Sequence, residues 1–234
     1  MDKVGYHSLK IVGVANDFNR WMYDTIAPFC HGNILEIGSG IGNISKFFFE
    51  NGKTITLSDI DDFYVQELKK TFSKNDVLSI NLVHENFRTE YAYLFNKFDT
   101  VFFLNVLEHI SEDESAIENC NLLLKQGGAM VILVPAYSFL FSKMDKELNH
   151  YRRYTSKRLA ALLAKKNLYV QKAFYFNAFG IIGWVYGKVF GLGSIPLGDM
   201  KLFNKLVPVA RFTDKLLLKK AGLSVIAVAK KTKE

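Results

Sequence analysis

The chain has 234 residues, enough for one domain with a sizeable hydrophobic core. Its two cysteines, Cys30 and Cys120, lie far apart and lack the C-x-x-C spacing of zinc sites. Neither a disulfide framework nor a metal site is therefore expected, and a reducing cytoplasm fits. The first residues contain no apolar run typical of a secretory signal.

The formal net charge of +7 is unevenly distributed. Residues 1–139 carry 11 Lys/Arg and 18 Asp/Glu, whereas residues 140–234 carry 19 Lys/Arg and 5 Asp/Glu. The basic part is a candidate for contact with an anionic substrate or surface. A solvated basic face is the alternative.

Hydrophobic periodicity predicts helices that alternate with strands, which indicates a parallel sheet with helices on both faces. The chain begins with a predicted amphipathic helix over 16–29, with Asn16 as N-cap. After the strand that ends at Ile37, the further predicted strands are 54–58, 79–86, 98–105, 129–135, 168–177 and 223–231. The further predicted helices are 61–72 with Asp61 as cap, 88–95, 112–125 stopped by Gly127 and Gly128, and 155–167 with Thr155 as cap.

The first strand runs into a glycine-rich turn, NILEIGSGIGNIS over 33–45. Glycine lets the chain turn tightly and lets a ligand approach the backbone. A dinucleotide fingerprint would have its third glycine where Asn43 stands, which disfavours a dehydrogenase. The carboxylate of Glu36 would repel a pyrophosphate but suits a ligand that carries an ammonium group.

The run EIGSGIG resembles motif I of the class I S-adenosylmethionine-dependent methyltransferases. The resemblance implies that S-adenosylmethionine is the cofactor and that Glu36, Gly38, Ser39 and Gly40 bind it. An ordinary tight turn is the alternative for the glycines.

Polar residues follow the next three strands. Asp59 ends the second strand, where a carboxylate can accept both ribose hydroxyls of a nucleoside; a helix N-cap is the alternative. The resemblance implies that Ile60 packs on the adenine. It also implies that Asn86 and Phe87 contact the adenine amine and ring, although an ordinary polar turn fits them too.

The fourth strand ends in Asn105 and the run VLEHI over 106–110, which is similar to the family's motif IV. Strand carboxyl ends face the ligand crevice of an open α/β sheet. The resemblance places Asn105 near the methionine part of the cofactor. His109 could act as a base, but a structural histidine is the favoured interpretation.

The loop DKELNHYRRY over 145–154 gathers His150, Arg152, Arg153 and Tyr154. Methylation of a hydroxyl needs alignment and a base, and His150 is the predicted catalytic base. Arg152, Arg153 and Tyr154 are the predicted substrate-binding residues, because arginine recognises carboxylates or phosphates with a planar fork. A similar H-x-R-R-[YF] stretch occurs in uncharacterised bacterial methyltransferases linked with glycan or lipid assembly. A capping and salt-bridge cluster is the alternative.

Residues 178–198 are apolar, with Lys188 as their only charge before Asp199. This length approaches the roughly 20 residues of a bilayer span, but five glycines before Pro196 and the lysine argue against a simple span. Residues 201–220 are amphipathic and basic. The segment 178–222 is therefore predicted to be a helical lid, with peripheral contact to an anionic membrane as the alternative.

The resemblance covers nearly the whole chain. It implies an α/β, Rossmann-like seven-stranded methyltransferase sheet of order 3-2-1-4-5-7-6 with strand 7 antiparallel. The predicted single domain, 1–234, comprises the N-terminal helix 16–29, a core of 33–177 and 223–231, and the lid insertion 178–222.

The expected function is S-adenosylmethionine-dependent O-methylation of a small-molecule, sugar or lipid-linked acceptor, in the cytoplasm or at the inner face of the membrane. RNA or protein methylation is one alternative, although no N/D-P-P-Y/F motif stands at 105–108 and no nucleic-acid partner is expected. A membrane-associated binding module with a vestigial cofactor site is the other. The sequence leaves the acceptor and the oligomeric state open.

Overall fold

The computed structural model describes residues 3–232, and within them seven strands form one mixed sheet. The strands are β1 (Ile34–Ile37), β2 (Ile55–Asp59), β3 (Val77–Ser79), β4 (Phe98–Leu104), β5 (Leu124–Pro135), β6 (Leu168–Phe176) and β7 (Ser224–Lys231). Their order is β3-β2-β1-β4-β5-β7-β6. The first five strands pair in parallel, and β7 pairs antiparallel with both β5 and β6. The predicted sheet order is confirmed.

Eleven α-helices surround the sheet in the described part of the chain. They are α1 (Lys3–Gly13), α2 (Asn16–Ile26), α3 (Ser45–Glu50), α4 (Asp62–Thr71), α5 (Phe87–Glu90), α6 (Asp113–Leu123), α7 (Lys143–Glu147), α8 (Ser156–Ala164), α9 (Gly180–Val189), α10 (Leu197–Lys205) and α11 (Val207–Leu216). Short 3₁₀ turns occupy Ala27–Phe29, Ala92–Leu94, Leu107–His109 and Ser138–Leu140. Helix α1 was not among the elements predicted from the sequence.

The core is divided between the two faces of the sheet. In β4, Val101 and Phe103 belong to one buried cluster, while Phe102 belongs to the other. Successive side chains of a strand point to opposite faces, so a strand covered by helices on both sides needs an uninterrupted apolar run. The run FDTVFFL meets this requirement.

The predicted strand over 79–86 is wrong, because β3 already ends at Ser79. Ile80 still donates its N–H to the carbonyl of Asp59, and then the side chain of Asn81 accepts the N–H of Val83 and turns the chain. Ile80 and Leu82 are both buried, so the alternating apolar pattern there reflects loop packing and not a strand.

The predicted helix stop at Gly127 and Gly128 is also wrong. Helix α6 ends at Leu123, and β5 begins at Leu124, so both glycines lie inside the strand. The register between β4 and β5 shifts at this point, between Phe98 and Thr100. Glycines inside a strand often mark such an irregularity.

One predicted helix cap is wrong and two are confirmed. Asn204 of α10 caps α2, because its Oδ1 accepts the N–H groups of Asp17 and Phe18 at 2.9 and 3.1 Å. Asn16 instead accepts a hydrogen bond from a lysine. The predicted caps of α4 and α8, Asp61 and Thr155, each accept a backbone N–H of their helix.

The segment 178–222, whose role as a lid stays a prediction and which is called the lid segment below, contains α9, α10 and α11. It packs against the N-terminal helices through Met200 and Phe203, which contact Ile11 and Phe18. None of the helices in residues 3–232 combines the length and apolarity that a bilayer span requires.

Candidate active site

The turn after β1 is built from glycines in the left-handed region. Gly38, Gly40 and Gly42 have φ values of 69°, 56° and 80°, which other residues adopt only with strain. Asp59 ties the turn to the end of β2, because its Oδ2 accepts the N–H of Gly40 at 2.9 Å. The segment from Gly38 to Gly42 is called the glycine turn below.

Protein atoms fill the space beside each of these glycines. A Cβ at Gly38 would lie 2.4 Å from Val106, and one at Gly42 would lie 2.3 Å from Phe72. A Cβ at Gly40 would lie 2.9 Å from Leu9 of α1. A side chain at any of the three positions would therefore force a neighbouring side chain to move.

Helix α1 covers the glycine turn. The side-chain amide of Asn43 donates to the carbonyl of Leu9 at 2.9 Å. The ring of Tyr6 meets that of Phe63 edge-on, with 5.2 Å between the centroids, and so fixes α1 to the first turn of α4. A ligand lying on the glycine turn would thus have α1 above it.

Glu36 is buried in β1 with a side-chain partner on α3. Ser45 donates its hydroxyl to Glu36, and only 5% of the residue is exposed. Burial raises the pKa of the Glu36 carboxyl to about 7; hydrogen bonds from Ser45 and Ser39 oppose this, and the negative charge of Asp59 adds to it. The carboxylate can therefore change charge near neutral pH.

Asp59 and Ile60 occupy the end of β2 as predicted, with different exposure. Asp59 is 7% exposed, and its Oδ1 accepts the N–H of Asp61 at 3.1 Å. Burial raises the pKa of the Asp59 carboxyl, against backbone hydrogen bonds that lower it. A carboxylate offers about four lone-pair sites, so this one retains capacity for ribose hydroxyls. Ile60 is 61% exposed at the rim.

Asn86 and Phe87 differ in their exposure to solvent. The ring of Phe87 is buried and packs on Tyr91, with 4.7 Å between the centroids. Asn86 is exposed and donates its backbone N–H to His84 at 3.1 Å. Asn86 is thus the member of the pair that a ligand can reach, and the adenine contact of the pair stays a prediction.

Asn105 follows β4 with a φ of 53°, a left-handed conformation that asparagine tolerates better than most residues. Its N–H donates to the carbonyl of Leu133 in β5 at 2.8 Å, and the residue is exposed. The next residue, Val106, contacts Gly38. The carboxyl ends of β1, β2 and β4 therefore meet around the glycine turn.

A second group of polar side chains lies beyond the end of β4. This histidine cluster consists of Glu108, His109, Asp145, His150 and Arg153. Asp145 is fully buried; its Oδ1 lies 2.9 Å from Nδ1 of His150 and accepts from Nε of Arg153 at 2.8 Å. Burial opposes ionisation of Asp145, but these hydrogen bonds outweigh it and lower the pKa of the carboxyl.

Two contacts bring His150 to the end of β4. The N–H of Tyr151 donates to the carbonyl of Glu108 at 2.8 Å. The ring of His150 stands perpendicular to that of His109, with 4.6 Å between the centroids. The contact between His109 and His150 is not predicted from the sequence. Its one signal is that the two residues follow β4 and β5, whose carboxyl ends lie at the same edge of the sheet.

The other residues of the loop have internal partners. Arg153 is 1% exposed, donates to the carbonyl of Ala136 at 3.0 Å and lies 4.3 Å over the ring of Trp184. Tyr154 is fully buried and donates to Asp113 at 2.9 Å. Arg152 also pairs with Asp113, at 2.8 Å, but its side chain is 21% exposed. Their substrate-binding role stays a prediction, with Arg152 the most accessible of the three.

Glu108 was missed in the sequence analysis. Its side chain is fully buried, and no other residue within 3–232 donates a hydrogen bond to either carboxylate oxygen. Burial raises the pKa of this carboxyl to about 8; its own backbone N–H and the positive charge of Arg153 lower it, and the negative charge of Asp145 adds to the rise. A buried carboxyl without a partner is costly and requires an explanation.

Residues 35–130 match a family model described as "Methyltransferase domain". A ubiquinone biosynthesis O-methyltransferase from Escherichia fergusonii is 26% identical over 95 residues, which are 41% of this chain and 39% of that protein. The chain thus matches about two-fifths of the length of this curated relative.

Solved structures share the fold over almost the whole chain. An S-adenosylmethionine-dependent methyltransferase from Archaeoglobus fulgidus has a TM-score of 0.58 at 15% identity, covering 91% of this chain and 94% of that one. A Haemonchus contortus phosphoethanolamine N-methyltransferase 2 in complex with S-adenosylmethionine has a TM-score of 0.60 at 15% identity, covering 92% and 52%. The sheet is therefore the Rossmann-like sheet of the methyltransferase fold.

Proposed function

We propose that the protein is an S-adenosylmethionine-dependent methyltransferase that methylates a hydroxyl group of a small-molecule, sugar or lipid-linked acceptor. One observation carries the proposal: in a sheet with methyltransferase order, Glu36, the glycine turn and Asp59 meet at adjacent strand ends. The methyltransferase match over residues 35–130 supports it.

The residues present fit this cofactor. Glu36 would accept its ammonium group, Asp59 its ribose hydroxyls, and the turn at Gly38, Ser39 and Gly40 would lie along its methionine part. Ile60 and Asn86 would flank the adenine, and Asn105 would lie near the reacting end. When bound, S-adenosylmethionine supplies a methyl group activated by a sulfonium.

The histidine cluster would serve the acceptor. With Nδ1 held by the buried carboxylate of Asp145, Nε2 of His150 would be the ring nitrogen that takes a proton from a hydroxyl, on a side chain that is 7% exposed. The cluster lies beyond Asn105, at the strand ends where open α/β sheets bind their ligands. Much of the catalysis would come from alignment of the hydroxyl with the methyl group.

Calorimetry with S-adenosylmethionine tests the cofactor assignment. We expect saturable binding that Asp59→Asn weakens about tenfold or more, because a hydrogen bond to a charged group contributes about 1.5–3 kcal/mol. Asp62→Asn is the matched control, since Asp62 is exposed in the first turn of α4 and has no proposed ligand role. Absence of binding by the folded wild-type protein would refute the function.

Exposed apolar side chains on the lid segment support contact with a membrane, which would favour a lipid-linked acceptor. On α9, Ile182, Val185, Tyr186 and Val189 are all exposed and lie on one helical face. On α11, Phe212 and Leu216 are 66% and 70% exposed. Solvent-facing apolar stripes of this kind mark interaction surfaces.

The charge of the same segment indicates an anionic lipid surface. Residues 178–222 contain seven Lys/Arg and two Asp. One of the two acids, Asp214, is buried inside the segment. Exposed apolar side chains with surrounding lysines are typical of helices that lie in the headgroup region. Trp184 of α9 contacts Arg153, so this surface adjoins the histidine cluster.

Flotation with liposomes tests the membrane contact. We expect binding to vesicles that contain phosphatidylglycerol, weaker binding to phosphatidylcholine alone, and loss of both in Phe212→Asp/Leu216→Asp. Tyr93→Asp is the control, because Tyr93 is 61% exposed but lies outside the lid segment. Equal flotation of both variants, or none of the wild type, would remove the lipid contact and leave the cofactor assignment unaffected.

A further inference from the structure

Three side chains that offer metal-binding atoms converge beside the end of β4. One ligand atom from each of Glu108, His109 and His150 lies within 4.8 Å of the other two. Glu108 and His109 belong to the turn after β4, whereas His150 follows α7. The fold, and not sequence adjacency, supplies the third member. Bonds of about 2.0–2.2 Å to one ion would hold such atoms roughly 3–4 Å apart, so a small contraction would complete the site.

Glu108 gives an independent indication that a ligand belongs here. Its side chain is 0% exposed, and no other described residue donates a hydrogen bond to either oxygen. The nearby positive charge of Arg153 acts on this carboxyl but makes no hydrogen bond to it. Buried polar groups need partners, and buried carboxylates are paired or coordinate a metal, so a cation held by Glu108 and the two imidazoles would satisfy it.

The surroundings of His150 match those of a metal-bound histidine. Metal-ligating histidines almost always donate their other ring N–H to a carboxylate, a carbonyl or water, which fixes the tautomer and the ring orientation. Here Nδ1 of His150 lies 2.9 Å from Oδ1 of Asp145. Asp145 is itself fixed, because it also accepts from Arg153 and from the N–H of Ser142, both at 2.8 Å.

We propose that Glu108, His109 and His150 bind one divalent transition-metal ion, with Zn²⁺ as the best match, and that an open coordination position receives the acceptor oxygen. Two imidazoles and one carboxylate form a donor set of open catalytic zinc sites. The role toward the acceptor rests on the proposed function, whereas the metal binding does not.

In the metal-bound form, His150 contributes as a ligand and not as the proton acceptor. A divalent ion lowers the pKa of a bound hydroxyl, whose proton is then released to solvent. The acceptor oxygen forms the new O–C bond, and the S–C bond breaks with its electron pair remaining on sulfur. The products are the methyl ether or ester, S-adenosylhomocysteine and one proton.

Zinc titration calorimetry of EDTA-treated, dialysed protein tests the site. We expect one Zn²⁺ per chain in the wild type, with affinity reduced at least tenfold in Glu108→Gln, His109→Ala and His150→Ala. His7→Ala is the matched control, because it removes an exposed histidine of α1 and should leave affinity unchanged. A rise in the wild-type melting temperature with added Zn²⁺ is a second readout that needs no variant.

Two results would overturn the metal site: no stoichiometric Zn²⁺ binding by the wild type, or binding that persists in both Glu108→Gln and His150→Ala. Titration of the same EDTA-treated protein with S-adenosylmethionine separates the two proposals. Cofactor binding without Zn²⁺ binding rejects the metal site alone, and Zn²⁺ binding without cofactor binding rejects the proposed function alone.

Discussion

Glu36 combines burial with a polar environment, and its charge should control cofactor affinity. Because burial raises its pKa to about 7, the carboxyl is mostly protonated at pH 6 and mostly ionised at pH 8. Only the ionised form attracts an ammonium group. Affinity for S-adenosylmethionine should therefore rise as the pH increases through 7, by about tenfold between pH 6 and pH 8.

Calorimetry at several pH values measures this effect. In Glu36→Gln the rise should disappear, since the amide does not titrate, and the ligand's own titration affects both proteins alike. Parallel pH profiles of wild type and variant would show that Glu36 does not contact the ammonium group.

Gly42 offers a second prediction at the scale of single residues. Alanine there must adopt a φ of 80° and place its Cβ 2.3 Å from Phe72. Gly52 is the matched control: its φ is 65°, but apart from Gly52 and its two neighbours in the chain no described residue comes within 4 Å of the added Cβ. Gly52→Ala should cost about 1–2 kcal/mol of unfolding free energy, and Gly42→Ala should cost about 1–3 kcal/mol more.

Urea denaturation, monitored by circular dichroism, measures the free energy of unfolding of both variants. Equal destabilisation of the two variants would mean that α4 moves away from the glycine turn without cost, contrary to the packing described above.

At the scale of elements, a buried carboxylate of α11 fixes the chain where it leaves β6 and enters the lid segment. Asp214 of α11 is 2% exposed and accepts the N–H groups of Asn177 and Ala178 at 2.8 and 2.7 Å, just before α9. Asp214→Ala leaves two buried donors without their acceptor. We expect a loss of about 1–3 kcal/mol and faster hydrogen exchange in α9.

Asp199→Ala is the matched control for the lid segment, since Asp199 is exposed on α10. Hydrogen exchange measured by mass spectrometry should distinguish the two variants over 178–189. Unchanged exchange in Asp214→Ala would indicate that apolar packing alone holds α9.

The elements also show which features a sequence encodes locally. The caps Asp61 and Thr155 lie next to the helices that they cap, so a short-range pattern identifies them. The cap of α2 is Asn204, which lies 187 residues after Asp17, the residue whose N–H it accepts, and no local pattern could reveal it. The strand prediction over 79–86 fails for another reason: Ile80 and Leu82 have the spacing of a strand but are buried within a loop.

At the scale of the whole molecule, the sheet order could be predicted from the sequence, whereas the histidine cluster could not. The apolar strands and the glycine turn carry their own sequence signals. The histidine cluster depends on a loop that returns from the end of β5 to the end of β4, where Tyr151 bonds to Glu108. Burial of Glu108 follows from that return and has no counterpart in its sequence neighbourhood.

The cysteines should report on unfolding of the entire protein. Cys30 is 3% exposed and Cys120 is 0% exposed, each within a different core cluster. Burial raises the pKa of the Cys30 thiol to about 12 and also raises that of Cys120. Because the thiolate is the reactive species, both should resist modification in the native state.

Reaction with Ellman's reagent checks this expectation. Two thiols per chain should react in 6 M guanidinium chloride, and almost none without denaturant. Rapid reaction of one thiol in the native protein would show that the face of the sheet around that cysteine opens locally.

The position of Leu9 over Gly40 has a kinetic consequence. The side chain of Leu9 lies against the glycine turn, so α1 is the element that would control exchange of a ligand held there. If the ligand enters only when α1 moves aside, one helix sets both the association rate and the residence time.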